Sequence, residues 1–341
     1  MKKTDVLIVG AGPAGSVCGC LLKKAGIDCL LIDHATFPRD KICGGGLTSK
    51  CWHLLDSLLP GIRYDFNPVH HIRLDVDKKA HCEFDIEEPV RIVQRKVFDN
   101  QLLQEYISVG GTFCHGAFQS FEEKDDQIIV TLKSGEQIAC SWLVGADGSN
   151  SRVRRCLQPD TDRGILALEQ FVDKKLDNVL EIGLSSSNFG GYFYRFPNDV
   201  HDVVGFGDSI TTLEKFRLIL RDRNIPEERF RGAYIYLSND YPLKDNVILI
   251  GDAGGFANRT TCEGLYDAFL TAFNASRAII ENRSFRDINA HVFQKIKNEI
   301  RVKRLFFTKT SFLLLRWVCR YPRIVRWIFE KKMKQEFWIG N

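Results

Sequence analysis

The sequence predicts an α/β fold in which a dinucleotide-binding unit opens the chain, a sheet-based insert interrupts it and a helical tail ends it. Three observations carry that expectation. Residues 1–33 read strand, glycine loop, helix, strand and acid in order. The stretch Leu166–Gly207 reads as strands broken by Gly and Asn turns, and a buried apolar run returns at Asn246. From Arg301 onward, Arg and Lys alternate with apolar clusters.

The opening unit is the most specific. Val6 to Val9 is a short apolar run of the kind a buried parallel strand needs. Gly10, Gly12 and Gly15, with Pro13 and Ala14 between them, give G-x-G-x-x-G. The first glycine allows a tight turn, the second lets backbone approach a pyrophosphate, and the third lets helix and strand pack closely. Ser16 to Ala25 reads as a helix closed by Gly26, and its N-terminus offers free N–H groups to phosphate. Cys29 to Ile32 is the second strand. Asp33 ends it 18 positions after Gly15, near the ~20 expected of a ribose-binding acid.

Next comes FPRDKICGGGLTSKCW, Phe37 to Trp52, which has no helical or strand period. Trp52 to Leu59 is amphipathic and stops at Pro60-Gly61, and His70–Val76 with Ala80–Ile86 forms a hairpin. Arg95 to Val109 has helical spacing. Ile128–Leu132 and Gln137–Cys140 flank a Lys-Ser-Gly-Glu turn. Trp142–Gly145 is a strand, followed by the tight Ala146-Asp147-Gly148-Ser149 loop and a short basic helix, Ser151 to Leu157. Leu166 to Gly207 is strand-like and Thr212–Asp222 helical. Asn246–Ile250 is a buried strand, and Glu263–Ile280 a long helix. These elements make a discontinuous dinucleotide domain (1–62, 91–160 and 244–290), a substrate domain (63–90 and 161–243) and a tail of basic amphipathic helices (291–341).

Composition narrows the class. The 341 residues suffice for one large or two moderate domains, and 44% hydrophobic with 26% charged residues is ordinary for a globular protein. Eleven cysteines show no C-x-x-C pair or zinc spacing, and no secretory pattern precedes the first strand. The expectation is a cytoplasmic protein with free thiols. No metal site is expected, since His70 and His71 would face opposite sides of a strand. The net charge of +4 is uneven: residues 301–341 carry eleven Lys/Arg against two Glu, a net +9, leaving −5 on the rest. That asymmetry suggests an anionic surface as partner; nucleic acid is not among the expected partners.

The glycine fingerprint, GADGSNSRVRR at 145–155 and ILIGDAGG at 248–255 together resemble flavoproteins of the p-hydroxybenzoate hydroxylase fold. The resemblance spans roughly residues 1–280. It implies a Rossmann-type FAD-binding domain with an inserted β-sheet-based substrate domain. It places Asp147-Gly148 near the pyrophosphate, Gly251-Asp252 on the flavin side, and Arg95 of RKVFDNQLL along the cofactor. Within that fold, KICGGGL and GYFYRFPNDVHDVVGFG resemble the geranylgeranyl reductase branch, where the glycine loop lies over the flavin. Cys43, Gly44 and Gly45 would then meet the ring, and Arg39 and Lys41 would sit near phosphate or the flavin's pyrimidine end. Tyr192, Tyr194, Phe196 and Pro197 would line the substrate site. Two readings stand for Cys43, a catalytic or gating thiol and a small buried filler.

The chain departs from the branch in two places. The branch has Trp where Tyr194 stands. It runs Asn-Pro-x-Thr-Gly-Glu-Gly where this chain has Asn258-Arg259-Thr260-Thr261-Cys262-Glu263-Gly264. By resemblance, that loop, with Glu263 and Gly264, borders the flavin N1–O2 edge. Arg259 would either add positive charge there or face solvent.

The resemblance implies an FAD-dependent oxidoreductase that reduces carbon–carbon double bonds of a polyprenyl or other isoprenoid lipid by hydride transfer from reduced flavin. Cys43, Tyr192 or ordered water would supply the proton. With no second glycine fingerprint, electrons would come from transient NAD(P)H or a small redox protein. The alternatives are an aromatic or quinone monooxygenase on the same fold and a non-catalytic flavin redox carrier. In the tail, residues 310–334 have no apolar run near the ~18–20 residues a bilayer span needs. Pro322 should split them into two short helices. These would lie on an anionic membrane through Trp317, Trp327, Phe329, Arg316, Arg320, Arg323 and Arg326, at the inner face of the membrane, or else cap the body.

Overall fold

The computed structural model describes residues 1–159, 164–175, 177–188, 191–242 and 244–334. The end of the expected tail, 335–341, therefore lies outside the described residues. The chain opens with β1 (Lys2–Val9), α1 (Pro13–Lys24) and β2 (Cys29–Asp33). A short β3 (Gly46–Leu47) and α2 (Ser49–Leu58) precede the long hairpin β4 (Asn67–Val76) and β5 (Ala80–Ile92). Helix α3 (Arg95–Ser108) leads to β6 (Thr112–His115), β7 (Phe118–Lys124), β8 (Gln127–Leu132), β9 (Gln137–Gly145) and α4 (Arg152–Leu157). The middle holds β10 (Ile165–Val172), β11 (Val179–Leu184), β12 (Tyr192–Pro197), β13 (Asp202–Asp208), α5 (Leu213–Asp222) and β14 (Arg231–Ile235). Then come β15 (Val247–Leu249), a 3-10 turn (Gly251–Gly254), α6 (Leu265–Ile280), α7 (Phe285–Ile288), α8 (Ala290–Phe306), α9 (Lys309–Val318) and α10 (Pro322–Met333).

Two sheets result among the described residues. The first runs β6–β2–β1–β9–β8–β7, with β15 beside the end of β9. Its centre is parallel: Val6 pairs Cys29 on one side and Trp142 on the other. Val6, Leu7 and Ile8 are fully buried, because helices α1, α2, α3 and α6 cover one face and side chains of β7, β8 and α4, among them Phe118, Val130 and Val153, pack against Leu7 on the other. A continuous apolar run is what a strand buried on both faces requires.

The second sheet runs β14–β10–β13–β12–β11–β4–β5–β3 and is antiparallel except where β11 meets β4. One part of it packs on Phe216 and Leu220 of α5. Another part, from β4, β5 and β11, packs on Phe312, Cys319, Val325 and Met333 of the two tail helices. The tail splits at Pro322 as the fixed φ of proline predicts. His70 and His71 do part company: His70 meets the Ile86 carbonyl at 3.0 Å, while His71 meets Asp85 at 2.7 Å and Glu83 at 3.1 Å. A register shift between Val69 and His71 accompanies this.

Candidate functional site

The turn from β1 into α1 is built by close contact. A Cβ on Gly15 would lie 1.9 Å from the Gly10 carbonyl oxygen, so only glycine lets the helix sit this near the strand. No side chain caps α1 and no acid occupies its first turn, so its N–H groups stay available to an anion. Asp33 is buried at the end of β2. Its Oδ2 accepts the Ala11 N–H at 2.8 Å and its Oδ1 accepts the Ala35 N–H at 2.8 Å. Asp147 accepts the N–H groups of Arg152 at 2.6 Å and Val153 at 3.3 Å on Oδ2, while its Oδ1 is buried without a partner. Burial pushes its carboxyl up, and the donors at the start of α4 draw it back. Asp252 accepts the Ser149 hydroxyl at 3.2 Å, across from that loop.

Arg154 ties these two acidic loops together. Its guanidinium donates to the Ala253 carbonyl at 2.9 Å and the Ser149 carbonyl at 2.6 Å, and stacks 3.5 Å from the centre of the Tyr236 ring. It is 3% exposed, and burial lowers its pKa. In the sequence it is one of several arginines on a short basic helix, and nothing in the spacing singles it out. Nearby, Arg95 is buried with Asp99, through bonds of 2.7 and 3.0 Å, and Arg39 joins the same carboxylate at 3.3 Å. Burial works against the charge on Arg95, but Asp99 outweighs it, and the Cys43 thiol adds a further acceptor. An orphaned carboxylate oxygen, an uncapped helix and a glycine floor at Gly12 fit the diphosphate and ribose of FAD.

The glycine loop has its own aromatic partner. A Cβ on Gly44 would lie 2.4 Å from the Phe196 ring, and one on Gly205 would lie 2.2 Å from the Tyr194 phenol. The glycines at 44 and 205 are therefore needed to seat the aromatics of β12, whose rings follow one another at 6.1 and 5.0 Å. Cys43 Sγ accepts the Gly45 N–H at 3.4 Å. Tyr192 donates to the Thr261 carbonyl at 2.7 Å, joining the sheet to the 258–264 loop. Tyr194 donates to Glu169 at 3.3 Å. Burial raises both phenols, so both stay neutral.

In the 258–264 loop, Asn258 accepts the N–H groups of Thr260 at 2.8 Å and Thr261 at 2.9 Å. Glu263 takes the Thr48 hydroxyl and an ion pair with Lys50 at 3.0 Å. Arg259 corrects the sequence expectation. Its guanidinium neither borders the site nor faces solvent. It is 4% exposed and turned into the protein, donating to the carbonyls of Gly255 at 2.7 Å, Ala257 at 2.6 Å, and Ser238. Three carbonyls hold its Nη groups, while its Nε is buried without a partner.

One cavity of ≈ 2320 Å³ joins these parts. It is lined at one end by Gly10, Gly12, Pro13, Ala14, Asp33, Arg39, Lys41, Arg95, Asp147, Gly148 and Asp252. In the middle it meets Cys43, Gly44, Gly45, Tyr192, Tyr194, Phe196, Glu263 and Gly264. Leu74, Leu180 and Ile182 of the second sheet and Phe307, Leu315, Phe329 and Met333 from the tail wall the other end. Gly15, Gly251 and Pro197 do not reach it: Gly15 packs on Gly10, and Gly251 gives its N–H to Thr271 at 2.9 Å. Glu169, Thr48 and Lys50 line it too, unforeseen in the sequence. Among the described residues no group of His, Cys, Asp or Glu is arranged to hold a metal, and no helix is long and apolar enough to cross a membrane.

The tail faces both ways. Phe312, Val325 and Met333 are buried, and Phe329 meets Phe84 edge-on at 5.5 Å. Leu313, Leu314, Trp317 and Trp327 stand 50–61% exposed on the other side. Two residues expected at a membrane turn inward instead, Phe329 and Arg316, which lies 3.8 Å from Asp77, while Arg326 stays at the surface and pairs with Glu87 at 3.4 Å and Glu330 at 3.1 Å.

Comparison with known proteins agrees with this architecture. Residues 3–171 match the family described as FAD binding domain. An uncharacterized protein of Methanosarcina barkeri is 31% identical over 293 residues, 82% of this chain and 75% of its own. Digeranylgeranylglycerophospholipid reductase 3 of Methanosphaera stadtmanae is 25% identical, over 91% of this chain and 89% of its own. Menaquinone reductase of Mycobacterium tuberculosis is 29% identical, over 76% and 72%. A geranylgeranyl bacteriochlorophyll reductase-like structure from Thermoplasma acidophilum superposes with a TM-score of 0.70 at 20% identity, covering 98% of this chain and 92% of that one. A flavin-dependent brominase gives 0.74 at 18%, covering 96% and 93%, so the fold alone does not select a reaction. The chain is an FAD-dependent oxidoreductase with a p-hydroxybenzoate hydroxylase-like fold. Within that class it belongs to the geranylgeranyl reductase family.

Proposed function

We propose that this enzyme reduces carbon–carbon double bonds in a polyprenyl or related isoprenoid lipid. The observation that carries the reading is the continuity of the cavity, which runs from the FAD-type end past the glycine loop into an apolar arm. An alkyl chain is the ligand such an arm accepts. Bound FAD, once reduced, supplies the hydride. The chain's share is to bind, orient and keep water out.

The α1 N-terminus, Asp33, Asp147 and Gly148 hold the ADP half, and Asp252, Glu263 and Gly264 the flavin half. Arg39, Lys41 and Arg95 balance negative charge along it. Cys43 and Tyr192 flank the reacting carbons, and Tyr194 and Phe196 with the sheet residues hold the chain of the lipid. Electrons arrive from NAD(P)H or a small redox protein. The exposed face of α9 and α10 rests on the inner face of an anionic membrane, with Arg320 and Arg323 at the headgroups, which keeps the enzyme cytoplasmic and peripheral.

The test is anaerobic reduction of the bound flavin, then addition of a polyprenyl lipid or of oxygen. Rapid reoxidation by lipid alone is expected. NAD(P)H-driven oxygen consumption that rises with an aromatic substrate would instead assign a monooxygenase, and slow, substrate-blind reoxidation a redox carrier.

A further inference from the structure

Glu169 lines the cavity, is 1% exposed and has no part in the roles above. It sits in a row that crosses four strands. Tyr194 on β12 is opposite Gly205 on β13, Gly205 is opposite Glu169 on β10, and Glu169 is opposite Arg231 on β14. Because position 205 carries no side chain, the Tyr194 ring crosses it and reaches the carboxylate two strands away, O–H to Oε2 at 3.3 Å. Arg231 donates to Oε1 at 3.0 Å. On the loop side the Tyr194 ring lies against Gly44, where a Cβ would come within 3.2 Å of it.

Both partners are donors, a phenol and a guanidinium. Only a group that accepts at every position satisfies them, and an ionised carboxylate is the side chain that does. An amide of the same shape turns an NH₂ toward one of those donors. We propose that Glu169 is a positioning residue of this site, fixing the Tyr194 phenol and, through that ring, the Gly44 end of the glycine loop against β10.

The row also accounts for two glycines at once. Gly44 seats the β12 aromatics from the loop side, Gly205 seats Tyr194 from the sheet side, and Glu169 locks the assembly from behind. Burial pushes its carboxyl up, while Arg231, Tyr194 and Cys43, the groups facing it from β14, β12 and the loop, draw it back. Protonation would remove an acceptor from one of the two side-chain donors, so the arrangement loosens as pH falls through the Glu169 pKa. The inference rests on the reductase reading for its kinetic arm only.

The test compares holoenzymes of Glu169→Gln, Tyr194→Phe and the double variant with the unaltered protein. Three readouts are taken: the visible circular dichroism of bound FAD, the rate of Cys43 alkylation by iodoacetamide, and the pH profile of kcat and KM on a polyprenyl lipid. In Glu169→Gln, FAD content is expected to hold while the dichroism and the alkylation rate change. Its kcat should fall by on the order of 10²-fold with little change in KM, as misplacement predicts. The acid limb of the pH profile should vanish, and the double variant should be no worse than Glu169→Gln. Unchanged dichroism and alkylation in folded Glu169→Gln, or additive losses in the double variant, overturn the proposal. If Glu169→Gln does not fold, Tyr194→Phe and the apolar pair Glu169→Met with Arg231→Leu take its place, since replacing a buried ion pair whole is tolerated. Unaltered dichroism and alkylation in both would overturn it equally. A wild-type enzyme that reduces no lipid would sink the substrate reading, while the spectral and alkylation arms would still decide Glu169.

Discussion

Asp33 has both carboxylate oxygens already engaged with backbone N–H groups, which fixes its orientation before any ribose arrives. Pre-orientation of this kind lowers the cost of binding. Asp33→Ala should weaken FAD binding by about 1–3 kcal/mol, read by flavin release on dilution. Unchanged retention would show that the acid does not meet the cofactor. At Cys43 the sulfur accepts from the Gly45 N–H at 3.4 Å and lines the cavity beside Arg95, which places it within reach of a bound ligand. Cys43→Ser should keep FAD yet slow lipid reduction; identical turnover and product would return Cys43 to a packing role. Arg259 shows why single residues are hard to read in a sequence. Its charge pointed to a cleft or to solvent, whereas carbonyls at 238, 255 and 257 decide its place, and residue 238 is distant in the chain.

Among elements, the strongest periodic signals were the most legible. The βαβ opening, the helix after Arg95 and the break at Pro322 all appear within a few residues of their expected bounds. The short strands Thr112–His115, Phe118–Lys124 and Arg231–Ile235 were missed, because each is half-exposed and held by ladder pairing rather than by an apolar run. The tail helices carry two faces, and each makes a prediction. On the inner face, Phe312→Ala should cost about 3–5 kcal/mol by opening a cavity against β4 and β5, measured by denaturant unfolding. On the outer face, Leu314→Glu, Trp317→Glu and Trp327→Glu together should abolish binding to anionic liposomes at low salt while leaving the fold intact. Vesicle binding that survives this triple change would assign membrane contact elsewhere.

Across the whole molecule, the site is an agreement between distant segments. Its FAD-type end could be read from three motifs because each is local and glycine-marked. Its middle could be read only in part: Cys43, Tyr194 and Phe196 were visible, but Glu169 and Arg154 act through partners that no spacing connects to them. The apolar arm was not legible at all, since strands near residues 74 and 180 meet helices beyond residue 306 only after folding. The same arm explains a further trait of the tail. Helices α9 and α10 form a wall of the chamber. With that wall removed, oxygen and bulk water would compete with the lipid for the reduced cofactor. Deleting residues 309–334 in protein that still holds FAD should therefore quicken air oxidation and uncouple electron uptake from lipid saturation. A truncated enzyme that stays as well coupled as the full chain would mean that something other than the tail guards the electrons. With the tail in place, the expected outcome is an enzyme whose electrons reach its substrate before they reach oxygen.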